Sequence, residues 1–230
     1  MRTTSLLSSF AALVAGVAVF GCSPSVTRTA DENPGGAMPV VNPKERLEKE
    51  RMAAATAGLD FTGATVKVSA PVSTDKAKAA RLMAKADSEI ASRNVWFLAV
   101  GAYRDAILAD PGDAKAYVGL GRAFLVESEN DRAEKALRTA IALDPKSTEA
   151  RYIVGTLRQG AGDYSGAVAE WKALAGIEPG YRDVYARLAI ASYYDLDYKA
   201  AWTFLSQAES RKQAVPPQFK SLLKEVAPRP

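Results

Sequence analysis

Apolar side chains recur at intervals of three and four residues through most of this chain, from about residue 76 to residue 227. Residues at those intervals fall on one face of an α-helix, so the pattern predicts a series of amphipathic helices. Glycine and proline stand mostly between the periodic segments, where one helix ends and another begins. The pattern therefore predicts an all-α domain over residues 76–230, with enough apolar surface for a well-buried core.

The periodic segments repeat with a fixed spacing. Pro111, Pro145 and Pro179 lie 34 residues apart, and each follows an acidic residue. A small residue recurs twelve positions before each proline and a large residue eight positions before it, and both series continue one period further. The two series are Ala99, Ala133, Ala167 and Ala201, and Tyr103, Leu137, Trp171 and Leu205. The spacing predicts four units, at residues 80–113, 114–147, 148–181 and 182–215.

This pattern resembles the tetratricopeptide repeat (TPR), a hairpin of two antiparallel helices. Small residues such as Gly121 and Gly155 let the helices approach closely, and large residues such as Trp171 fill the space between hairpins. The resemblance implies an all-α TPR helical-hairpin solenoid of about four repeats. We expect residues 217–226 to form a C-terminal capping helix that closes the stack. Its inward-facing residues are predicted to be Phe219, Leu222, Leu223 and Val226.

The beginning of the chain has a different pattern. Arg2 is the only charged residue before Arg28, and the run from Leu6 to Phe20 is apolar apart from two serines and a glycine. A short positive region followed by such a run is typical of a secretory signal peptide, here residues 1–21. The run is shorter than the roughly 20 apolar residues that a membrane-spanning helix needs.

The apolar run ends in Val19-Phe20-Gly21-Cys22, and Cys22 is the only cysteine. This ending resembles the lipobox of bacterial lipoproteins, although Phe20 replaces the small residue usual at its position. The resemblance implies acylation of Cys22, with palmitate among the chains, and more than one chain gives stable anchoring. Ser23 resembles the signal for the outer membrane, which implies a lipid-anchored protein facing the periplasm. The alternative is a free cysteine buried in a core.

Residues 22–75 are predicted to form a lipidated tether between the anchor and the repeats. Residues 23–43 are rich in Pro, Gly, Ser and Thr, a composition that buries too little apolar surface to fold. Asn42 is a suitable cap for a short charged helix, which would run to about Ala57. Because this helix has few apolar residues, we interpret it as a solvated spacer outside the core. Residues 59–72 favour a short strand or coil.

The composition argues against catalysis. The chain has no histidine, the commonest general base, and acylation would remove the thiol of its one cysteine. The net charge of +4 and the pI of about 9.1 are basic, but acidic and basic residues are interspersed, so no nucleic-acid surface is indicated. We therefore expect a non-enzymatic protein with no cofactor, no metal, no small-molecule substrate and no nucleic-acid partner.

The TPR resemblance implies that a protein or peptide partner binds in a concave groove lined by the first helix of each hairpin. The groove positions that it assigns are Lys115, Val118, Arg122, Leu125, Tyr152, Thr156, Gln159, Ala186, Ile190 and Tyr193. The Lys/Asn clamp that some TPR proteins use to hold a terminal carboxylate is missing, since Ala84 and Ser88 occupy the places of its first pair. Aromatic residues are frequent binding hot spots. Packing between hairpins is the alternative role for each tyrosine.

These expectations combine into a functional hypothesis. The sequence favours a membrane-anchored scaffold or adaptor that holds partner proteins in a TPR groove in the bacterial envelope. The alternative is a pilotin-like lipoprotein that assists assembly of a pilus or a secretion system. Co-purification of an outer-membrane secretin would distinguish the second role from the first.

Overall fold

The computed structural model describes residues 42–69, 74–91 and 96–228. The predicted signal peptide, Cys22 and residues 23–41 of the tether lie outside the described residues. Within them the chain forms ten helices and one antiparallel sheet of two short strands. The helices are α1 (Pro43–Ala55), α2 (Lys76–Ala91), α3 (Trp96–Ala109), α4 (Ala114–Val126), α5 (Asn130–Leu143), α6 (Thr148–Gly160), α7 (Tyr164–Ile177), α8 (Val184–Tyr194), α9 (Tyr198–Ser210) and α10 (Phe219–Val226), and the strands are β1 (Leu59–Asp60) and β2 (Lys67–Val68).

Helices α2 to α9 pair in sequence order into four hairpins, which confirms the predicted repeats. Helices α4 and α6 begin at the predicted unit starts, whereas α2 begins at Lys76, before the predicted start at residue 80. Aspartate caps fix several helix starts: the Asp113, Asp163 and Asp197 carboxylates accept hydrogen bonds from backbone N–H groups in the first turns of α4, α7 and α9.

The predicted close approach of the two helices of a hairpin at small residues is confirmed. A Cβ atom added at Gly155 of α6 would lie 2.4 Å from Nε1 of Trp171, whose side chain on α7 is fully buried. In the preceding hairpin, a Cβ atom at Gly121 would lie 2.7 Å from Cγ of Leu137. Glycine at these positions is therefore what allows the two helices of a hairpin to lie so close together.

The turns inside the hairpins also follow the repeat. Ser128, Gly162 and Leu196, which lie 34 residues apart, all have a left-handed backbone, with φ of 60°, 81° and 64°. Only glycine adopts this conformation without steric cost. Two of these three turns, at Ser128 and Leu196, thus use a residue that is strained in this conformation.

The prediction that α1 is a solvated spacer outside the core is wrong. Met52 and Ala55 of α1, together with Leu59 and Val66 of the segment that follows, are buried in one core cluster with the first hairpins. The ring of Phe61 meets that of Phe124 edge to face, with centroids 5.5 Å apart. These apolar side chains were too few and too irregularly spaced to produce a helical pattern, and they become buried only against a surface that the repeats supply.

Polar contacts fix the same segment to the second helices of the hairpins. The backbone N–H of Val66 donates to Oγ1 of Thr139 at 2.8 Å. Lys135 Nζ donates to the carbonyl of Phe61 at 3.0 Å, and Arg104 Nη1 donates to the carbonyl of Ala54. The segment therefore docks mainly on α3 and α5, the second helices of the first two hairpins, and Phe61 also reaches Phe124 of α4.

The capping helix α10 forms where it was predicted. Phe219 and Leu223 are buried and Leu222 is half-buried, but Val226 is 48% exposed, so its predicted inward orientation is wrong. The helix is only eight residues long, and Val226 is its last residue. Trp202 of α9 holds this end, since its Nε1 donates to the carbonyl of Ala227 at 3.0 Å.

Candidate functional site: a groove lined by the first helices

The first helices of the first three hairpins line an open cavity of about 560 Å³. It lies between α2, α4 and the start of α6, and Tyr103 of α3 contributes to its base. Its lining residues are Ala80, Met83, Ala84, Asp87, Tyr103, Ala114, Lys115, Val118, Gly119, Arg122, Asp144, Lys146, Ser147, Thr148 and Glu149. The structure therefore places Lys115, Val118 and Arg122 together in one groove.

Two of the three carboxylates that line this cavity, those of Asp87 and Asp144, accept hydrogen bonds within the protein. The Tyr103 hydroxyl donates a hydrogen bond to the Asp87 carboxylate, and burial together with this bond raises the pKa of Tyr103. Asp144 Oδ1 accepts from the backbone N–H of Lys146 at 3.0 Å. The cationic groups are less constrained: Lys115 is exposed, and Arg122 lies 3.9 Å from Glu149, which is a weak ion pair.

Outside the lining of this cavity, Tyr152 of α6, another predicted groove residue, is held by two residues of the fourth hairpin. Its hydroxyl donates to Oδ1 of Asp183 at 2.8 Å and accepts from Nε of Arg187 at 2.8 Å. The Arg187 guanidinium also lies over the Tyr152 ring, 4.8 Å from its centroid. Burial and the bond to Asp183 raise the pKa of Tyr152.

A second guanidinium lies beside the same ring. Arg182, in the connection before α8, is 5.0 Å from the Tyr152 centroid and 5.4 Å from that of Tyr181. The two tyrosine rings are themselves 5.5 Å apart. Arg182 is exposed, and its backbone is left-handed, with φ of 42°. The arrangement is a cation–π cluster in which two aromatic rings fix the position of an exposed cation.

The remaining predicted groove residues differ in how far they are exposed to solvent. Thr156 is exposed, and Leu125 and Gln159 are half-buried. Ala186 and Ile190 are buried, and Val118 is also only 8% exposed, so these three offer a partner little surface. The involvement of all the predicted positions in binding stays a prediction.

Tyr193 lies apart from the other predicted aromatic residue. It packs on Phe219 of the capping helix, with centroids 5.7 Å apart, and on Tyr194 and Tyr198. Tyr152 belongs to a different core cluster, so the structure does not bring these two tyrosines together. For Tyr193 the geometry therefore favours a role in packing, the alternative considered from the sequence, over a role in binding a partner.

The sequence prediction missed Tyr181, Arg182 and Arg187. None of them recurs at the 34-residue spacing, and Tyr181 and Arg182 lie in the connection between two hairpins. A Tyr-Arg-Asp run at the boundary between the third and fourth predicted units was the one available signal, and it carries no meaning until the fold places Tyr152 beside it.

Within the part of the chain that the structure describes, no group of histidine, cysteine, aspartate and glutamate residues is arranged to hold a metal ion. The same described residues contain no helix that is long and apolar enough to cross a membrane.

The hairpin stack defines the class of protein: a helical repeat solenoid with a groove along its first helices. Residues 83–148 and 120–182 each match the family model described as tetratricopeptide repeat. The hairpins of this region therefore match the tetratricopeptide repeat, and the fold is the all-α TPR solenoid that the sequence predicted.

Solved structures share this fold. MamA is 22% identical with a TM-score of 0.54, over 58% of this chain and 78% of that one. MamA 41-end from Desulfovibrio magneticus RS-1 is 17% identical with a TM-score of 0.53, over 58% and 75% of the two chains. The first TPR of Spaghetti (RPAP3), bound to the HSP90 peptide SRMEEVD, is 20% identical with a TM-score of 0.51, over 54% and 97%. Identities this low show the fold alone. No curated protein matches the sequence significantly.

Proposed function

We propose that this protein is a membrane-anchored adaptor of the bacterial envelope that holds a segment of a partner protein in its TPR groove. The observation that carries the proposal is the open cavity of about 560 Å³ between α2, α4 and α6. TPR folds are typically non-enzymatic interaction scaffolds, and one solved TPR with this fold is bound to a peptide.

The chemistry of the groove suits a polypeptide better than a small molecule. Its floor combines small and apolar groups such as Ala84 and Val118 with the exposed cations Lys115 and Arg122. Small-molecule sites are usually concave, largely apolar and deep enough to cover most of the ligand. An open, mixed surface instead provides contacts to side chains and backbone of an extended or helical segment.

The anchor rests on sequence. Cys22 ends an apolar run in a lipobox-like sequence, and Ser23 favours delivery to the outer membrane. We expect Cys22→Ser to move the protein out of the membrane fraction or to leave it uncleaved. If the wild-type protein fractionates as freely soluble and mass spectrometry shows no lipid on it, the lipid anchor is refuted, but the binding groove is not.

The groove is tested by cross-linked recovery of partners from membranes that contain the full-length protein. The double variant Lys115→Glu, Arg122→Glu reverses two exposed groove charges, and we expect it to lose most of the recovered partner. The matched control is Lys199→Glu, an exposed lysine of the second helix α9. Unchanged recovery with the double variant, at unchanged melting temperature, would place the partner elsewhere. A secretin among the recovered proteins would narrow the role to pilotin-like assembly.

A further inference from the structure

The backbone at the start of α8 departs from two local rules at once. Arg182 adopts a left-handed conformation, with φ of 42°, that is unfavourable for any residue with a side chain. Asp183 occupies the N-cap position, where an aspartate ordinarily accepts a hydrogen bond from the first turn, but its side chain makes no such bond. Local rules that fail together often mark a functional site.

The Asp183 carboxylate is instead directed to Tyr152 and Arg187. Its Oδ1 accepts from the Tyr152 hydroxyl at 2.8 Å and from Nε of Arg187 at 3.1 Å. These contacts fix the orientation of the Tyr152 ring, against which both Arg182 and Arg187 lie. Asp183 therefore acts as a positioning residue for an aromatic and cationic cluster rather than as a helix cap.

A distant residue caps α8 in its place. Oε1 of Gln213, from beyond the end of α9, accepts from the backbone N–H groups of Tyr185 and Ala186 at 2.9 and 3.2 Å. Its Nε2 donates to the carbonyl of Arg182 at 2.9 Å, which holds the strained residue as well. The connection before α8 is therefore fixed from both sides, and the cluster is preorganised.

Within this cluster, Arg187 and Arg182 differ in one respect. Arg187 is paired with Asp183, whereas no carboxylate of the described residues lies within ion-pair distance of Arg182. The Arg182 guanidinium is exposed and is held against the rings of Tyr152 and Tyr181. A fixed guanidinium loses little conformational freedom when it binds, and its planar donors match a carboxylate.

We propose that the cluster of Tyr152, Tyr181, Arg182, Asp183 and Arg187 binds a side-chain carboxylate of an acidic segment in the partner protein. The proposal rests on the proposed function and adds a partner chemistry to it. Charge complementarity favours an acidic segment, because Asp183, the acidic member of the cluster, already accepts hydrogen bonds from Tyr152 and Arg187 while the side chain of Arg182 is exposed. Two further carboxylates face the cluster, since the charges of Glu149 and Glu178 raise the pKa of Tyr181, but neither is paired with Arg182. Arg182 is the residue that contacts the carboxylate.

The experiment is a selection from a random peptide display library on the full-length protein in detergent micelles. The random segment is flanked on both sides, so that its only carboxylates are those of side chains. The same selection is made with Arg182→Gln and with the control Arg211→Gln. Arg211 is also an exposed arginine over a tyrosine, 4.2 Å from the Tyr185 centroid, but it follows the second helix α9.

We expect wild-type protein and the Arg211 variant to enrich peptides with aspartate or glutamate at one fixed position, and the Arg182 variant to lose that enrichment. For a selected peptide, Kd should rise about tenfold or more on Arg182→Gln, the amount typical of a charge-assisted hydrogen bond. Replacing the acid of the peptide by its amide should weaken binding to wild-type protein to the same extent, a measurement that does not depend on how the variant folds.

Two results would overturn the proposal. Selected peptides without an acidic position, or a Kd unaffected by both substitutions, would refute the carboxylate site and leave the peptide-binding groove intact. Failure of wild-type protein to select any peptide would count against the proposed function as well.

Discussion

The contact between Gly155 and Trp171 leads to a specific prediction: whether Gly155→Ala stabilises or destabilises the protein depends on the residue at position 171. Within a helix, Gly→Ala ordinarily stabilises by about 1 kcal/mol. Here the added methyl would lie 2.4 Å from Nε1 and 2.7 Å from Cε2 of an indole that is fully buried. Overpacking of this kind costs about 1–3 kcal/mol. Separation of the helices would also weaken the 3.2 Å hydrogen bond from Trp171 Nε1 to the Tyr152 carbonyl, at about 1 kcal/mol.

We therefore expect Gly155→Ala to lower the free energy of unfolding by about 2 kcal/mol, close to the sum of these terms. Trp171→Ala alone should cost about 3–5 kcal/mol, because it removes a large side chain from the core. In that background the methyl has room, and Gly155→Ala should then stabilise by about 1 kcal/mol. The interaction energy between the two sites is about 3 kcal/mol, at the upper end for contacting residues.

Urea unfolding of the four proteins, followed by far-UV circular dichroism, measures this double-mutant cycle. Gly101→Ala in α3 is the matched control, since among the described residues no atom outside its chain neighbours and its own helix backbone lies within 4 Å of the position its Cβ would occupy, and it should be neutral or stabilising. A Gly155→Ala protein as stable as the wild type, or a substitution effect of the same sign in both backgrounds, would refute the packing argument.

Two further predictions concern stability. Phe61→Ala should lower the free energy of unfolding by about 2 kcal/mol, because its half-buried ring packs on Phe124. The control Leu47→Ala, at an exposed position of α1, should change it by less than about 0.5 kcal/mol. Equally small effects of both substitutions in urea unfolding would mean that the segment after α1 does not dock on the repeats. Leu196→Gly should relieve the strain of a left-handed backbone, and so raise the free energy of unfolding by about 0.5–1 kcal/mol and raise the melting temperature. Gly162→Ala, at the equivalent turn, should lower both quantities. A lower melting temperature for Leu196→Gly, or a higher one for Gly162→Ala, measured by calorimetry, would contradict the shared turn.

The sequence by itself determined the repeat architecture. This architecture depends on residues that are close in the chain or 34 positions apart. Examples are the helix periodicity, aspartate caps such as Asp113, and the contact of Gly155 with Trp171 within one hairpin. Each hairpin buries its apolar face against a copy of the same pattern, so one unit predicts the surroundings of the next. The general position of a groove along the first helices was implied by the TPR resemblance, and Lys115 and Arg122 line the cavity found there.

Only the tertiary structure decided the features that join dissimilar segments. Val66 finds its hydrogen-bond acceptor at Thr139, and the N-terminal segment that was interpreted as a solvated spacer becomes part of the core. The start of α8 is capped by Gln213, which frees Asp183 to hold Tyr152. Such contacts have no period and no local propensity, because each depends on a unique pair of surfaces that exist only after the hairpins have stacked. A repeat in the sequence predicts the structural features that all the repeats have in common. The features that distinguish this solenoid from others with the same fold are fixed instead by packing between residues far apart in the chain.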